Sequence, residues 1–161
     1  MDIVVLSDSH GNYPAVIRSV DMVPEAAAVI HLGDFCDDVL PLEAVFSGTV
    51  FRVPGNCDLH SRLPREAVLS LEGVTVLICH GDRYSVKGGL ERLEAHAARL
   101  GAEVVVYGHT HMPLISSHGG ILFVNPGSLE YKQLRPTFAV VTLLQQTATA
   151  RICVLPPISV L

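Results

Sequence analysis

The sequence predicts one α/β domain, residues 1–161, in which two β-sheets pack together with helices outside, one part of the strand set parallel and the other antiparallel. Three observations carry this prediction. Over the first two-thirds of the chain, β-branched apolar runs alternate with stretches of helical periodicity. The last third consists of short strand-like runs. The early runs are continuously apolar, the mark of strands covered on both faces.

Taken in order, Asp2–Ser7 (DIVVLS) is the first such strand. Tyr13 to Val23 comes next, with apolar residues at 13, 16, 17, 20 and 23, the spacing of one helix face. Ala26–Leu32 is a second buried strand. Asp38–Phe46 reads as a helix that Asp37 and Asp38 cap, and Thr49–Val53 as a third strand. Glu66–Leu71 and Val74–Cys79 flank Glu72-Gly73, a hairpin turn. In Gly89–Leu100, residues Leu90, Leu93, Ala97 and Leu100 share a helix face. Glu103–Tyr107 is again a strand, as are Leu114–Ser117, Ile121–Val124, Thr137–Leu143 and Thr149–Leu155, with Gly119-Gly120 as the turn between the first two of these four.

Composition narrows the function. Apolar residues make up 49% and charged residues 17%, which excludes a disordered chain. The net charge of −5, without a Lys/Arg cluster, argues against strong nucleic-acid binding through phosphate neutralisation. No apolar run approaches the roughly 18 residues of a membrane helix, and no basic leader precedes Ile3. The four cysteines show no C-x-x-C spacing, so a reduced, cytoplasmic chain is expected. The mean hydropathy of +0.41 points to an interface between copies of the chain, a homo-oligomer.

The functional signal lies in the loops at the strand ends. The strands finish in Ser7-Asp8-Ser9-His10, in Gly33-Asp34, in Gly55-Asn56-Cys57-Asp58, in His80-Gly81-Asp82 and in Gly108-His109-Thr110-His111. In open α/β sheets, ligands bind outside the carboxyl ends of the strands, so these five loops should converge. Asp8, His10, Asp34, Asn56, His80, His109 and His111 offer only oxygen and nitrogen donors. That set suits Mn²⁺, Fe²⁺, Zn²⁺ or Ni²⁺, and Mn²⁺ is the ion expected. Seven donors exceed the needs of one ion and suit two. A pair roughly 3.5–4 Å apart can clamp both oxygens of a phosphoryl displacement.

In that order, these five blocks resemble the signature of the calcineurin-like metallophosphoesterases. The Asn-Cys-Asp variant, the short chain and Asn125-Pro126-Gly127-Ser128 are similar to their small bacterial and archaeal phosphodiesterase branch. The resemblance implies a four-layer αββα sandwich, two mixed β-sheets flanked by helices. It implies that Asp8, His10 and His111 hold one metal, that Asn56, His80 and His109 hold the other, and that Asp34 bridges them. Asp58 would stand behind the ligands, orienting one of them or the attacking solvent, so that Asn56, His80 and Asp58 are the expected catalytic residues. Two positions depart from the wider pattern. Cys57 stands where relatives often carry a His that protonates the leaving group, and Asp82 where they often carry a second His.

The expected activity is hydrolysis of a small-molecule phosphodiester by metal-bound hydroxide. The alternative is a protein-binding scaffold, because the superfamily includes a retromer subunit that keeps the fold without catalytic competence. All seven ligand positions are filled here, which favours the hydrolase. A structural zinc site would instead be a closed, Cys-rich tetrahedron. Other residues receive blander readings. His31 reads as a hydrogen-bonded core residue, His96 and His118 as solvated, and Arg62, Arg83 and Lys87 as surface. His60, in the loop after the Asn-Cys-Asp block, and the backbone N–H groups of Gly11-Asn12 are outside candidates for substrate contact.

Overall fold

The computed structural model describes residues 1–157. Ten strands form two sheets of five. The first sheet contains β1 (Asp2–Leu6), β2 (Ala28–His31), β3 (Thr49–Arg52), β9 (Thr137–Leu144) and β10 (Thr147–Val154), in the order β10-β9-β1-β2-β3. The second contains β4 (Glu66–Leu71), β5 (Val74–Cys79), β6 (Val104–Val106), β7 (Leu114–His118) and β8 (Ile121–Asn125), in the order β4-β5-β6-β8-β7. Strands β1, β2 and β3 run parallel, as do β5, β6 and β8, while β4, β7, β9 and β10 pair antiparallel with their neighbours.

Three buried layers explain why the strands are apolar on both faces. Ile3, Val5, Ile30, Val76, Ile78 and Val106 belong to the layer between the sheets. Val4, Leu6 and Val29 face the other way, onto α1 (Tyr13–Asp21) and a 3₁₀ segment, Cys36–Ala44. Leu77, Val105 and Phe123 face α2 (Glu91–Leu100), which buries Leu93 and Ala97 against them. The result is the expected four-layer αββα sandwich.

The differences from expectation are local. The helix expected over Asp38–Phe46 is a 3₁₀ segment two residues earlier, with Pro41 inside it. Proline has no N–H for an α-helical bond and crowds the preceding turn, so this stretch cannot run as an α-helix. A second 3₁₀ turn, Asp82–Tyr84, comes after β5 where a plain loop was expected. The last hairpin is longer than its apolar pattern indicates. It turns at Gln145 and Gln146, both left-handed at φ +50° and +62°, the geometry of a two-residue turn that usually takes Asn-Gly.

Candidate metal centre

The strands that run parallel in each sheet end at one edge of the sandwich, and their loops turn sharply there. Five of the expected donors in these turns are left-handed: Asp8 (φ +53°), His10 (+47°), Asp34 (+54°), His109 (+68°) and His111 (+60°). Each such residue costs roughly 1–2 kcal/mol and persists only where its surroundings over-determine it. Those surroundings are visible. Asp8 N–H donates to Gly33 O at 3.0 Å, and Gly108 N–H to His80 O at 2.9 Å. The Ser128 hydroxyl donates to Asp8 O at 2.9 Å, and Asn125 Nδ2 to Gly108 O at 3.0 Å. Gly108 is required by close approach, since a Cβ there would lie 1.9 Å from Ser7 Oγ and 2.9 Å from Asp8 Oδ2.

Asp8 is fully buried, and its two oxygens differ. Oδ2 accepts from the Ser7 hydroxyl at 2.5 Å and from His109 N–H at 3.1 Å. Oδ1 lies 3.0 Å from His111 Nε2 but has no aligned hydrogen-bond donor. Burial alone would raise the Asp8 carboxyl. The neighbouring His111 and His80 rings and the Ser7 hydroxyl outweigh it and hold the group below its usual value, so it is ionised at neutral pH. The same carboxylate raises His111. His10 Nε2, also buried and unpartnered, lies 3.7 Å from Asp34 Oδ2.

Across Asp34 a second group gathers. His80 Nδ1 lies 2.8 Å from Leu32 O. A carbonyl only accepts, so Nδ1 carries the proton and Nε2 turns a lone pair inward. That Nε2 faces Asn56 Oδ1 at 3.2 Å, His109 Nδ1 at 3.1 Å and Asp34 Oδ1 at 3.6 Å. Burial above all lowers His109 and keeps its ring neutral. The His80 Nε2 lone pair thus faces the oxygens of Asn56 and Asp34, an arrangement that a cation relieves.

All seven residues expected as donors are therefore neighbours, with Asp34 between the two groups and one oxygen toward each. The donor set fits divalent metal. One donor atom each from Asp8, His10, Asp34 and His111 lies within 4.8 Å of the others. Two of these four atoms, Asp8 Oδ1 and His10 Nε2, are buried without a hydrogen-bond partner. A carboxylate oxygen so placed is costly unless something positive meets it, and oxygen with imidazole nitrogen suits a hard-to-borderline ion.

Asp58 acts on backbone. Its Oδ1 accepts from Phe35 N–H at 3.0 Å and Cys36 N–H at 3.1 Å, and its Oδ2 from Gly55 N–H at 2.7 Å. It thereby fixes the loops carrying Asp34 and Asn56 and starts the 3₁₀ segment, the capping role expected of Asp37 and Asp38. Asp37 instead pairs with Arg52, and Asp38 accepts from the Ser9 hydroxyl at 2.6 Å and Gly11 N–H at 2.8 Å. With Gly11 N–H so engaged, and Asn12 N–H donating to Ser9 O at 2.9 Å, neither is left to meet a phosphate. Cys57 is exposed; partial desolvation and the adjacent Asp34 push its thiol up to about 11. His60 is exposed too. His31 is the buried, hydrogen-bonded residue expected. His96 and His118 are not simply solvated: His96 lies 3.0 Å from Glu66 and His118 3.3 Å from Glu94.

The supporting residues Ser7, Asn125, Ser128 and Glu130 carry no role that the sequence alone assigns. Glu130 Oε2 lies 3.6 Å from His111 Nδ1. The one signal for this group is the Asn125-Pro126-Gly127-Ser128 block, whose two polar members are both buried.

Comparison with known proteins identifies the family of the fold. The probable metallophosphoesterase YsnB of Bacillus subtilis is 30% identical over 155 residues, covering 94% of this chain and 89% of its own. Phosphodiesterase YfcE of Escherichia coli is 31% identical over 155 residues, covering 80% of this chain and 79% of its own. Among solved structures, a predicted phosphoesterase of Streptococcus pneumoniae superposes with a TM-score of 0.78 at 28% identity, covering 95% of this chain and 88% of its own. The family profile described as the calcineurin-like phosphoesterase superfamily domain matches residues 1–146, which hold every strand but β10 and every donor above, and the chain belongs to that superfamily.

Proposed function

We propose that this protein is a dinuclear, divalent-metal-dependent phosphodiesterase. One observation supports the reading above the others: Asp34, almost completely buried, has Oδ2 3.7 Å from His10 Nε2 and Oδ1 3.6 Å from His80 Nε2. A carboxylate between two donor groups can serve both. Asp8, His10 and His111 would hold one ion with Asp34, and Asn56, His80 and His109 the other. When bound, such ions supply positive charge for phosphate oxygens and a water acidic enough to attack at neutral pH.

The chain's own residues set the geometry for this. Leu32 O fixes the His80 tautomer, Ser7 and His109 N–H hold Asp8 with one oxygen inward, and Asp58 locks two of the loops. Water adds to phosphorus, the P–O bond to one substituent breaks, and a monoester and an alcohol or phenol leave. No side chain serves as nucleophile. Manganese is the ion we expect. The diester preference leans on the name of the Escherichia coli relative. The scaffold alternative is disfavoured because every donor position is filled.

The test is direct. Purified protein should contain up to two divalent ions per chain, cleave bis(p-nitrophenyl) phosphate faster than p-nitrophenyl phosphate, lose activity in chelator and regain it with Mn²⁺. Full diester hydrolysis by protein shown to be metal-free would overturn the reading.

A further inference from the structure

Cavities beside the proposed metal centre differ in character. One of about 290 Å³ is lined by Asp37, Asp38 and Asp58 without a Lys or Arg, and would repel an anionic substrate. Another, of about 520 Å³, opens between Val86–Leu90 and Thr110–Leu114. Val86, Leu90, Tyr107, Met112 and Leu114 give it apolar walls. Met112 is 71% exposed and Leu114 46%, so large apolar surface faces solvent there. Its volume is in the range that encloses a small organic molecule, about 300–1,000 Å³.

Two features tie this cavity to the reaction. Thr110, in its wall, is the residue between His109 and His111, and its hydroxyl is fixed by Asn125 Nδ2 at 3.1 Å. Lys87 is the cavity's one charged side chain, and among the described residues it makes no ion pair. A free cation at the junction of an apolar cavity and a phosphate-handling centre suits a ligand that is anionic at one end and apolar at the other.

We propose that this cavity receives the organic substituent of the substrate, an apolar group of about the size of a phenyl ring, while Lys87 contacts a phosphate oxygen. The substrate class is then phosphodiesters with an aryl or comparably bulky apolar substituent. Esters of small alcohols would leave the cavity empty. The assignment rests on the phosphodiesterase reading and adds a specificity site to it.

The chain contains three methionines, Met1, Met22 and Met112, so protein labelled at the methionine methyls reports the cavity without turnover. Phenylphosphonate added to Mg²⁺-loaded protein should shift the Met112 resonance and leave Met22 unmoved, and methylphosphonate should shift neither. Leu114→Glu and Lys87→Ala should each weaken that binding at least tenfold, with the Met22 resonance certifying the fold. In the kinetic arm, kcat/KM for phenyl p-nitrophenyl phosphate should exceed that for methyl p-nitrophenyl phosphate at least tenfold. A Met112 resonance unmoved by millimolar phenylphosphonate overturns the proposal even if diesters are cleaved, and so does a phenyl-to-methyl ratio near one. A shifted Met112 resonance in protein that cleaves neither diester with any divalent ion leaves the cavity assignment standing and overturns the hydrolytic reading instead.

Discussion

Acidification should unfold this protein through one residue far from its surface. His31 is fully buried at the end of β2. Its Nδ1 accepts from Gly33 N–H at 3.2 Å, so Nε2 carries the proton and donates to Ser9 Oγ at 2.9 Å; Ser9 in turn donates to Asp38. A second proton on the ring would set Nδ1–H against Gly33 N–H. Burial lowers the ring from 6.5 to about 4, although the charges of Asp38, Asp8 and Asp58 pull the other way. Above pH 6.5 the ring is neutral in both folded and unfolded chains, and the stability is complete. Below it, the unfolded chain takes up a proton that the folded chain refuses, so stability is lost as pH falls toward 4. The span of 6.5 to about 4, at 1.36 kcal/mol per unit, is a loss of about 3 kcal/mol. Urea unfolding of metal-free protein, monitored by circular dichroism at pH 7.5, 6, 5 and 4.5, measures it. His31→Gln keeps an acceptor and a donor but cannot titrate, so its curve should be flatter by that amount. Parallel curves for the two proteins would refute the reasoning.

Four further outcomes are expected. Asp34→Asn should lose at least one ion in elemental analysis and nearly all diesterase activity; two retained ions with near-normal rates would exclude bridging. Gly108→Ala places a methyl 1.9 Å from Ser7 Oγ, and should cost about 1–3 kcal/mol in chemical denaturation and weaken metal retention by displacing Asp8. Cys57, with its thiol near 11 and a weak donor, cannot replace an acid worth ~10²–10⁴-fold. Rates should therefore fall steeply with leaving-group pKa, and Cys57→Ala should barely change aryl-ester cleavage; a flat, chemistry-limited series would contradict this. Replacing Gln145-Gln146 by Asn-Gly, which adopt the left-handed turn at lower cost, should raise stability by about 1 kcal/mol, seen as a rise of about 2–4 °C in Tm.

The parts of this fold that are legible in the sequence are those where local pattern and tertiary demand agree. Val74–Cys79 is apolar throughout because it is covered by the other sheet and by α2, and its predicted and observed limits coincide. The seven donors are legible because each stands just beyond such a strand, and parallel strands bring their ends together. Other features depend on contacts between distant residues. Asp58 reaches Phe35 N–H across 23 positions, and His96 meets Glu66 across 30. Neither pairing leaves a mark on the local sequence. Backbone shape at the site is only faintly marked, since Asp and His enter left-handed turns more readily than most residues but do so only where distant contacts hold them. The 3₁₀ segment is readable in principle from Pro41, but the apolar spacing around it resembles a helix more strongly.

The division of the donors between the sheets has a mechanical consequence. Asp8, His10, Asp34 and Asn56 hang from the first sheet, and His80, His109 and His111 from the second. In the proposed assignment each ion takes ligands from both, so the ions act as rivets through the seam of the sandwich. Elsewhere the two halves are joined by apolar packing, which resists separation but tolerates sliding. Rivets at one edge resist sliding as well. Loading the ions should therefore slow amide exchange in β1 and β6 together, on opposite sides of the seam, and stripping them should release both strands at once.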